Sequence, residues 1–482
     1  IRDAAAELPN AVAVGVPEGY AYYGLYPETY AAAARQFAAR VGPPRALVVG
    51  IRGIGAGLAA VVADTLGRRG VDVQSVTVRP RGHPFDRALA LDDGLDRWVR
   101  EYATRPGAWV AIVDEGPGLS GSSLSGTAAA LAERGFDDAR IVLFPSWDTD
   151  GSGFVSEAAR ARWAKHRRFV ASFEDAVLAR GGPRWPAHGD GPLDDVGGGA
   201  WRDRHWSSDD PDRPAIHPQH EARKYRHAAP DGETGPVWHT FAGHGRYGRA
   251  RAALATRLAE AGFGPRVLGL RRGFLATAEH AGRPLTKADA TPDVLDAMAR
   301  YLAWRRRELP GTRTVSLEAL HQMVGHNVKL AMGDAMAERA LGVARLTPAL
   351  DAAPVVAIDG RMQPHEWVRG PSGLIKTDGH AHGDDHFLPG AQDVAWDVAG
   401  ACVEWELTPE ARARLVDTYA AAADDAGIHD RLPFHEVAYL AFRLGYATLG
   451  AQGLGDHVDA AGLRGAADRY AAALRARLAD AP

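Results

Sequence analysis

Two adjacent carboxylates stand directly before a loop of glycine and serine residues. Asp114 and Glu115 follow a short apolar run, and residues 116–123 read Gly-Pro-Gly-Leu-Ser-Gly-Ser-Ser before a helical pattern begins. The backbone N–H groups of such a loop, together with the positive end of the following helix, can converge on a phosphate group. The two carboxylates can accept hydrogen bonds from vicinal hydroxyls of a sugar attached to that phosphate. The spacing therefore predicts a site for a phosphorylated sugar.

A plainer interpretation of the same residues stays open. A glycine and serine turn after a strand is also an ordinary connection to a helix, with Ser122 or Ser123 as the N-cap. A second glycine-rich turn, which contains Arg52, follows another apolar run. Because two such turns occur in one pattern, we favour the binding interpretation.

Residues 45–144 alternate short apolar runs with helical segments. Strands are predicted at 46–51, 71–78, 109–113 and 140–144. This alternation is typical of a parallel α/β sheet. Residues 79–86 contain too much proline and glycine for regular structure. We predict an α/β parallel-sheet domain over residues 1–180.

The rest of the chain changes character twice. Between residues 181 and 236, glycine, proline, histidine and aspartate dominate, and three scattered tryptophans predict a connector that packs on another surface. From residue 237 to residue 482, long amphipathic patterns predict a mainly helical domain with a few strands. The predicted helices are 248–261, 291–308, 317–341, 409–426 and 433 to the end of the chain.

Composition limits the class of protein. The chain has 482 residues, 46% hydrophobic and 24% charged, so it can bury a large core and at least two domains are expected. A formal net charge of −4 gives no chain-wide attraction to nucleic acid or to an anionic membrane. The single cysteine, Cys402, points to a reducing cytoplasm, and no apolar run is long enough to predict a membrane span. We expect a cytoplasmic protein that binds small molecules, and a homodimer stays open.

The segment from Val113 to Ser123 resembles the phosphoribosyl pyrophosphate (PRPP) motif of type I phosphoribosyltransferases. The resemblance implies that Asp114 and Glu115 bind the ribose hydroxyls and that the following loop binds the 5′-phosphate. It also implies that Arg52 lies in the pyrophosphate loop and that residues 79–86 form a catalytic flap. The implied catalytic residues are Arg52, Arg79, Arg81, Asp114 and Glu115. The implied PRPP-binding residues are Gly53, Gly116, Gly118, Leu119, Ser120, Gly121, Ser122 and Ser123.

The C-terminal domain resembles the aminoglycoside-phosphotransferase-like and choline-kinase-like small-molecule kinases. The motifs that carry this resemblance are the turn 261–265 after a helix, the segment 359–366, Asp378 after a strand, and the helix that opens at residues 392–401. In register with the catalytic loop of these kinases, Asp359 takes the histidine place, Arg361 the catalytic aspartate place and Glu366 the metal-binding asparagine place. The resemblance implies a metal site at Asp378 and Glu366.

The departures from the kinase pattern fall on the chemistry. An arginine at position 361 cannot be the carboxylate base of the family, although Asp359 could replace it if the loop is shifted. The nucleotide-anchoring lysine is either Lys224 or absent, since the later strand carries His239 and Thr240 there. The residues His380, His382, Asp384, Asp385 and His386 form a dense cluster, but its spacing matches no recognised zinc motif.

The sequence predicts Mg²⁺-dependent transfer of phosphoribose from PRPP to an unidentified small acceptor, with release of pyrophosphate. One alternative is an ATP-dependent small-molecule kinase that uses the C-terminal domain. The other is a PRPP-sensing protein with a catalytically inactive kinase-like module, which the departures at Arg361 and Glu366 favour over ordinary kinase activity.

Overall fold

The computed structural model describes residues 15–83, 86–118, 120–154, 156–179, 193–228, 235–371, 373–381 and 389–479. The chain divides into two compact units, residues 1–185 and 186–482. The predicted boundaries of domain and connector remain a prediction. Within the ranges given above, no helix combines the length and apolar character needed to cross a membrane.

The first unit contains the parallel sheet that the alternating pattern predicts. Its five strands follow the order β2-β1-β5-β6-β7, and every pairing is parallel. The strands are β1 (Arg45–Ile51), β2 (Asp72–Val78), β5 (Ala108–Val113), β6 (Ile141–Phe144) and β7 (Arg167–Arg168). The helices are α1 (Glu18–Ala21), α2 (Pro27–Val41), α3 (Ile54–Gly67), α4 (Asp93–Ala103), α5 (Ser122–Ala132) and α6 (Glu157–Trp163).

Apolar side chains cover both faces of this sheet. Leu47 and Val49 of β1 pack in one cluster, whereas Ala46 and Val48 pack in another. Successive side chains of a strand point to opposite faces, so two cores are needed and β1 is apolar throughout. The carboxyl ends of β1 and β5 therefore emerge from the same edge of a rigid sheet.

The segment predicted to lack regular structure forms a small hairpin. Strands β3 (Arg81–His83) and β4 (Asp86–Ala88) pair antiparallel. The prediction of irregularity at residues 79–86 is wrong for these strands. Gly82 adopts a φ of 109°, a backbone conformation that residues with a side chain rarely adopt. The hairpin therefore requires glycine at this position.

The second unit begins with an antiparallel sheet of order β11-β12-β10-β9-β8. Its strands are β8 (Leu193–Asp195), β9 (Lys224–His227), β10 (Val237–Phe241), β11 (Val267–Arg271) and β12 (Phe274–Ala278). A smaller sheet contains β13 (Arg283–Pro284), β14 (Trp367–Gly370) and β15 (Gly373–Lys376). Two strands of the larger sheet thus come from the sequence predicted as a connector.

Helices form most of the second unit, as predicted. They are α7 (Arg246–Glu260), α8 (Pro292–Glu308), α9 (Leu317–Met332), α10 (Asp334–Val343), α11 (Pro348–Ala352), α12 (Ala395–Glu404), α13 (Pro409–Ala423), α14 (Ile428–Leu454) and α15 (Asp459–Ala479). The single helix predicted over 317–341 is wrong, because Gly333 adopts a φ of 87° and separates α9 from α10. Trp396 and Trp405 are buried in the helical core.

Candidate functional site

The second unit contains a cleft with a cavity volume of about 240 Å³. The lining includes residues of β9, β10 and β12 on the sheet side and residues of the 361–380 region on the helical side. Its central charged residues are Glu221, Lys224, Arg361, Glu366 and Asp378. The cleft therefore brings together three of the four residues predicted for the kinase-like site, namely Arg361, Glu366 and Asp378.

Lys224 lies at the start of β9 and contacts carboxylates from two directions. Its Nζ atom is 3.5 Å from Asp378 Oδ2 and 3.5 Å from Glu221 Oε2. Burial lowers the pKa of Lys224, but Asp378 and Glu221 more than offset this, so the pKa is raised and the amine stays charged. In the register of the sheet, Lys224 pairs with Thr240 of the neighbouring strand. Between the two alternatives for the nucleotide-anchoring lysine, the geometry favours Lys224 over its absence from the strand that carries His239 and Thr240.

A second buried lysine, which sequence reasoning missed, neutralises the carboxylates predicted at the loop. Lys376 Nζ is 2.6 Å from Glu366 Oε2 and 3.2 Å from Asp359 Oδ1, and its side chain is fully buried. Burial raises the pKa of Glu366 to about 7, against the opposing effect of Lys376. The sequence feature that could have indicated this residue is a lysine at the end of the apolar strand β15, two residues before Asp378.

Asp359 is a structural residue of the loop rather than part of the cleft lining. It is completely buried, and the Tyr301 hydroxyl donates a hydrogen bond to its Oδ2 atom. The backbone N–H groups of Asp359 and Gly360 donate to the two carboxylate oxygens of Asp397, at 2.7 and 2.8 Å. Asp397 therefore braces this loop, whereas the geometry does not favour Asp359 as a replacement base.

Arg361 lines the cleft with no carboxylate in contact. Its Nε atom is enclosed without a hydrogen-bond partner, and no ion pair to its guanidinium is found among the residues that the structure describes. Burial lowers the pKa of Arg361, but Tyr446, Glu366 and Glu221 act in the opposite direction and the net pKa is raised. The cleft therefore contains a permanently charged guanidinium where the kinase pattern has a carboxylate.

Residues 200–221, here called the cover segment, supply one wall of the cleft. The Trp201 ring stacks on His365 with 5.4 Å between centroids, and Lys224 Nζ lies 5.8 Å from the Trp201 ring centroid. Arg202 joins the segment to α15 through Asp459, with 2.8 Å between Nη1 and Oδ1. The predicted packing of the tryptophan-bearing connector is thus realised on the cleft itself. The third tryptophan of that prediction, at position 185, lies outside the described residues.

The acidic pair of the first unit emerges from the end of β5 in a buried environment. Burial is the main cause that raises the pKa of Asp114 to about 8 and that of Glu115 to about 7. A Cβ atom added to Gly55 would lie 2.8 Å from Asp114 Oδ1, so the turn after β1 and the acidic pair are adjacent. The structure therefore brings two of the predicted PRPP-site segments together.

Within the glycine and serine loop, the hydroxyls bond to protein groups. Ser120 Oγ donates to Ser122 Oγ at 2.9 Å, and Arg87 Nη1 donates to Ser123 Oγ at 3.1 Å. The N-cap of α5 is Gly121, with a φ of 60° and no side-chain cap, so the interpretation of Ser122 or Ser123 as the cap is wrong. The backbone N–H of Gly116 donates to Ser146 Oγ at 2.8 Å. Leu119 lies outside the described residues, and Gly118 stays a predicted contact.

The predicted cations of the first unit are on or near the surface. Arg52 donates to Thr77 Oγ1 and to the Thr77 carbonyl, at 3.4 Å each, and Gly53 is the N-cap of α3. Arg79 and Arg81 are exposed. Their predicted roles toward pyrophosphate remain predictions. Of the predicted His/Asp cluster, His380 is buried in the cleft lining, and the four later members lie outside the described residues.

No protein-family model and no curated protein matches the chain. Among solved structures it is similar to a choline/ethanolamine kinase family protein from Mesorhizobium loti, at 16% identity over 63% of this chain and 95% of that one, with a TM-score of 0.44. A Plasmodium vivax ethanolamine kinase is 11% identical over 53% of this chain and 81% of that one, with a TM-score of 0.39. The Streptococcus pneumoniae choline kinase LicA is 11% identical over 54% and 90%, with a TM-score of 0.36.

These comparisons contradict the predicted phosphoribosyltransferase, because the similar structures are kinases. The physical source of the error is local. A buried strand, an acidic end and a glycine turn into a helix recur at the carboxyl edge of parallel sheets, so the motif is compatible with more than one chemistry.

Proposed function

We propose that residues 186–482 form an ATP-dependent phosphotransferase that acts on a small molecule. The observation that carries the proposal is the contact between Lys224 and Asp378 in the cleft, at 3.5 Å. A charged lysine can bind the phosphates of a nucleotide, and a carboxylate can bind the Mg²⁺ ion that accompanies them. Lys224 lies in β9 and Asp378 lies two residues after the end of β15, so a nucleotide between them would contact both parts of the unit.

The donor set is compatible with Mg²⁺ that is held mainly by phosphates. Mg²⁺ in such sites keeps several waters and takes one or two carboxylate ligands from the protein. Asp378 fits this role because its side chain is 25% exposed in the cleft lining. Glu366 uses Oε2 to bind Lys376, so only Oε1 would be directed to a metal. When bound, Mg²⁺ would neutralise charge on the transferred phosphoryl group.

The proposed transfer moves the γ-phosphoryl group of ATP to a hydroxyl of the acceptor. The bond from phosphorus to the ADP oxygen breaks, a bond to the acceptor oxygen forms, and the hydroxyl proton leaves to solvent. Such transfers pass through a loose transition state in which positioning and charge stabilisation outweigh proton abstraction. A cleft with cations but without a carboxylate at position 361 is compatible with this chemistry.

The presence of Arg361 in place of a catalytic carboxylate favours a second candidate function. In this alternative, the unit binds nucleotide without transferring phosphate. Loss of the base that orients the acceptor hydroxyl lowers transfer more than it lowers nucleotide binding. Measuring binding and turnover separately distinguishes the two candidates.

The test is calorimetric titration of the full chain with a non-hydrolysable ATP analogue, with and without Mg²⁺. We expect Lys224→Met to weaken binding at least about tenfold because a charge-assisted contact to phosphate is lost. We expect Asp378→Asn to remove the Mg²⁺ dependence. The matched control is Lys329→Met, since Lys329 pairs with Asp334 on the surface.

Wild-type protein that binds no nucleotide would contradict the proposal. ADP release with a panel of acceptors then separates the phosphotransferase from the binding module: nucleotide binding with no turnover for any acceptor would favour the module.

A further inference from the structure

The arginines and the lysine that line the cleft each have a carboxylate within 4 Å, with one exception. Arg204 lies 3.9 Å from Glu279, and Lys224 lies 3.5 Å from Asp378. Arg443, another cation of the lining, lies 3.1 Å from Glu404. In the described part of the chain, Arg361 alone among these cations lacks an ion pair, and its Nε atom is enclosed without a partner.

An enclosed guanidinium nitrogen without an acceptor is costly, and in Arg361 the Nε atom is in this position. Buried polar groups in proteins are almost always hydrogen-bonded, and the desolvation of an unpaired charge is far larger than that of a neutral group. Arginine also cannot shed its proton to avoid this cost. The missing partner is therefore expected to be an anion that enters the cleft.

A neutral histidine in the same lining adds a second polar atom that lacks a partner. His217 is buried, and its Nδ1 atom has no hydrogen-bond partner. Burial lowers the pKa of His217, and it lowers the pKa of His365 to about 3. Both rings are therefore neutral at neutral pH and do not compete with Arg361 for an anion.

The Trp201 ring of the cleft lining already has a histidine ring and a lysine as neighbours, which disfavours a quaternary ammonium ion over it. Such ions bind over the open faces of aromatic rings. The Trp201 ring already stacks on His365 and lies near Lys224 Nζ. Trp206 is buried with its ring edge-on to Trp201, at 84° between planes. A cationic acceptor would also face the unpaired charge of Arg361.

We propose that the acceptor carries an anionic group, a carboxylate or a phosphate, which the guanidinium of Arg361 binds in the cleft. A planar guanidinium with several N–H donors fits either group through paired hydrogen bonds. This inference rests on the proposed function, since it names the class of acceptor for that phosphotransferase. Arg361 then orients the acceptor in the place where the kinase pattern orients it through a carboxylate.

The test is binding of four hydroxyl-bearing probes to the full chain, by calorimetry without nucleotide. Glycerate carries a carboxylate and glycerol 1-phosphate carries a phosphate, whereas ethanolamine and choline are cations. We expect one or both anions to bind at millimolar concentrations and neither cation to bind. The anion that binds identifies which of the two groups the site accepts.

Two variants locate the binding. We expect Arg361→Gln to weaken the anion at least about tenfold, and Arg361→Lys to give an intermediate loss because it keeps the charge but not the paired donors. If Arg361→Gln does not fold, Arg361→Lys still decides the matter. The control is Arg204→Gln, since Arg204 lines the same cleft but lies 3.9 Å from Glu279.

Binding of choline or ethanolamine in preference to the anions would overturn the inference, as would failure of both anions to bind. Anion affinities unchanged in the Arg361 variants would also overturn it. Titration of the same samples with the ATP analogue tests the proposed function independently. If the analogue binds and the anions do not, only the inference about the acceptor fails.

Discussion

Replacing Lys376 by methionine is expected to destabilise the second unit strongly. Methionine has a similar shape but no charge, so Glu366 and Asp359 would lose the amine that lies 2.6 and 3.2 Å from their oxygens. All three side chains are buried or nearly so. Breaking a buried ion pair by removing one partner costs about 3–5 kcal/mol, because an uncompensated charge remains.

The loss is expected to depend on pH with a definite sign. Burial already raises the pKa of Glu366 to about 7, above the ordinary value of 4.5. A carboxyl with a raised pKa holds more protons in the folded than in the unfolded state, so stability falls as pH rises through this window. Without Lys376 the pKa of Glu366 rises further. The variant is therefore expected to lose most above pH 7 and to recover as the pH falls below that value.

Urea unfolding followed by tryptophan fluorescence, above and below pH 7, measures this effect. The control is Lys329→Met, since Lys329 pairs with Asp334 while both side chains are more than half exposed. Such surface pairs contribute roughly 0–1 kcal/mol. The double variant Lys376→Met with Glu366→Gln is expected to recover part of the loss. Equal losses in the Lys376 and Lys329 variants, or a larger loss at low pH, would refute the reasoning.

Three further predictions concern other buried groups. Gly121→Ala is expected to lower the free energy of unfolding by about 1–3 kcal/mol in thermal unfolding, because the new Cβ would lie 2.3 Å from a phenylalanine ring. Burial alone would raise the pKa of Asp393, but His435 and Arg431 hold it low. Arg431→Met is therefore expected to raise this pKa, to destabilise the protein and to raise the pH at which acid unfolds it. Asp114→Asn is expected to flatten the fall in stability between pH 4 and the pKa of about 8, because a neutral amide cannot ionise in that buried position; an unchanged pH profile would count against the buried carboxyl.

The elements that the sequence predicts correctly are those whose structure depends only on the residues of one short segment. The run 46–51 becomes β1 (Arg45–Ile51) and the run 109–113 becomes β5 (Ala108–Val113), because a strand buried on both faces must be apolar along its length. Strands β8 and β9 were missed because Leu-Asp-Asp and Lys-Tyr-Arg-His carry no such signal. Their place is decided by backbone pairing with distant partners.

The same limit applies to the cleft. Glu366 and Asp378 could be predicted because both occupy positions of one kinase motif, twelve residues apart in the sequence. Lys376 lies in that stretch, but its partnership with Asp359 depends on where the buried loop passes β15. Trp201 lies more than 150 residues before His365, and no local pattern predicts that their rings stack. The structure places two of the predicted PRPP-site segments next to each other, yet their proximity alone does not specify a reaction.

The ion pair between Arg202 and Asp459 has a consequence for how the protein forms during synthesis. The cover segment belongs to the start of the second unit, whereas its anchor belongs to α15, the final helix of the structure. At typical translation speeds, the residues between the two partners take roughly 13 to 50 s to appear. Over that interval the cleft wall bearing Trp201 lacks its attachment to α15, so a nascent chain is expected to expose apolar surface there. During that interval, chaperones that bind apolar surface could bind this segment.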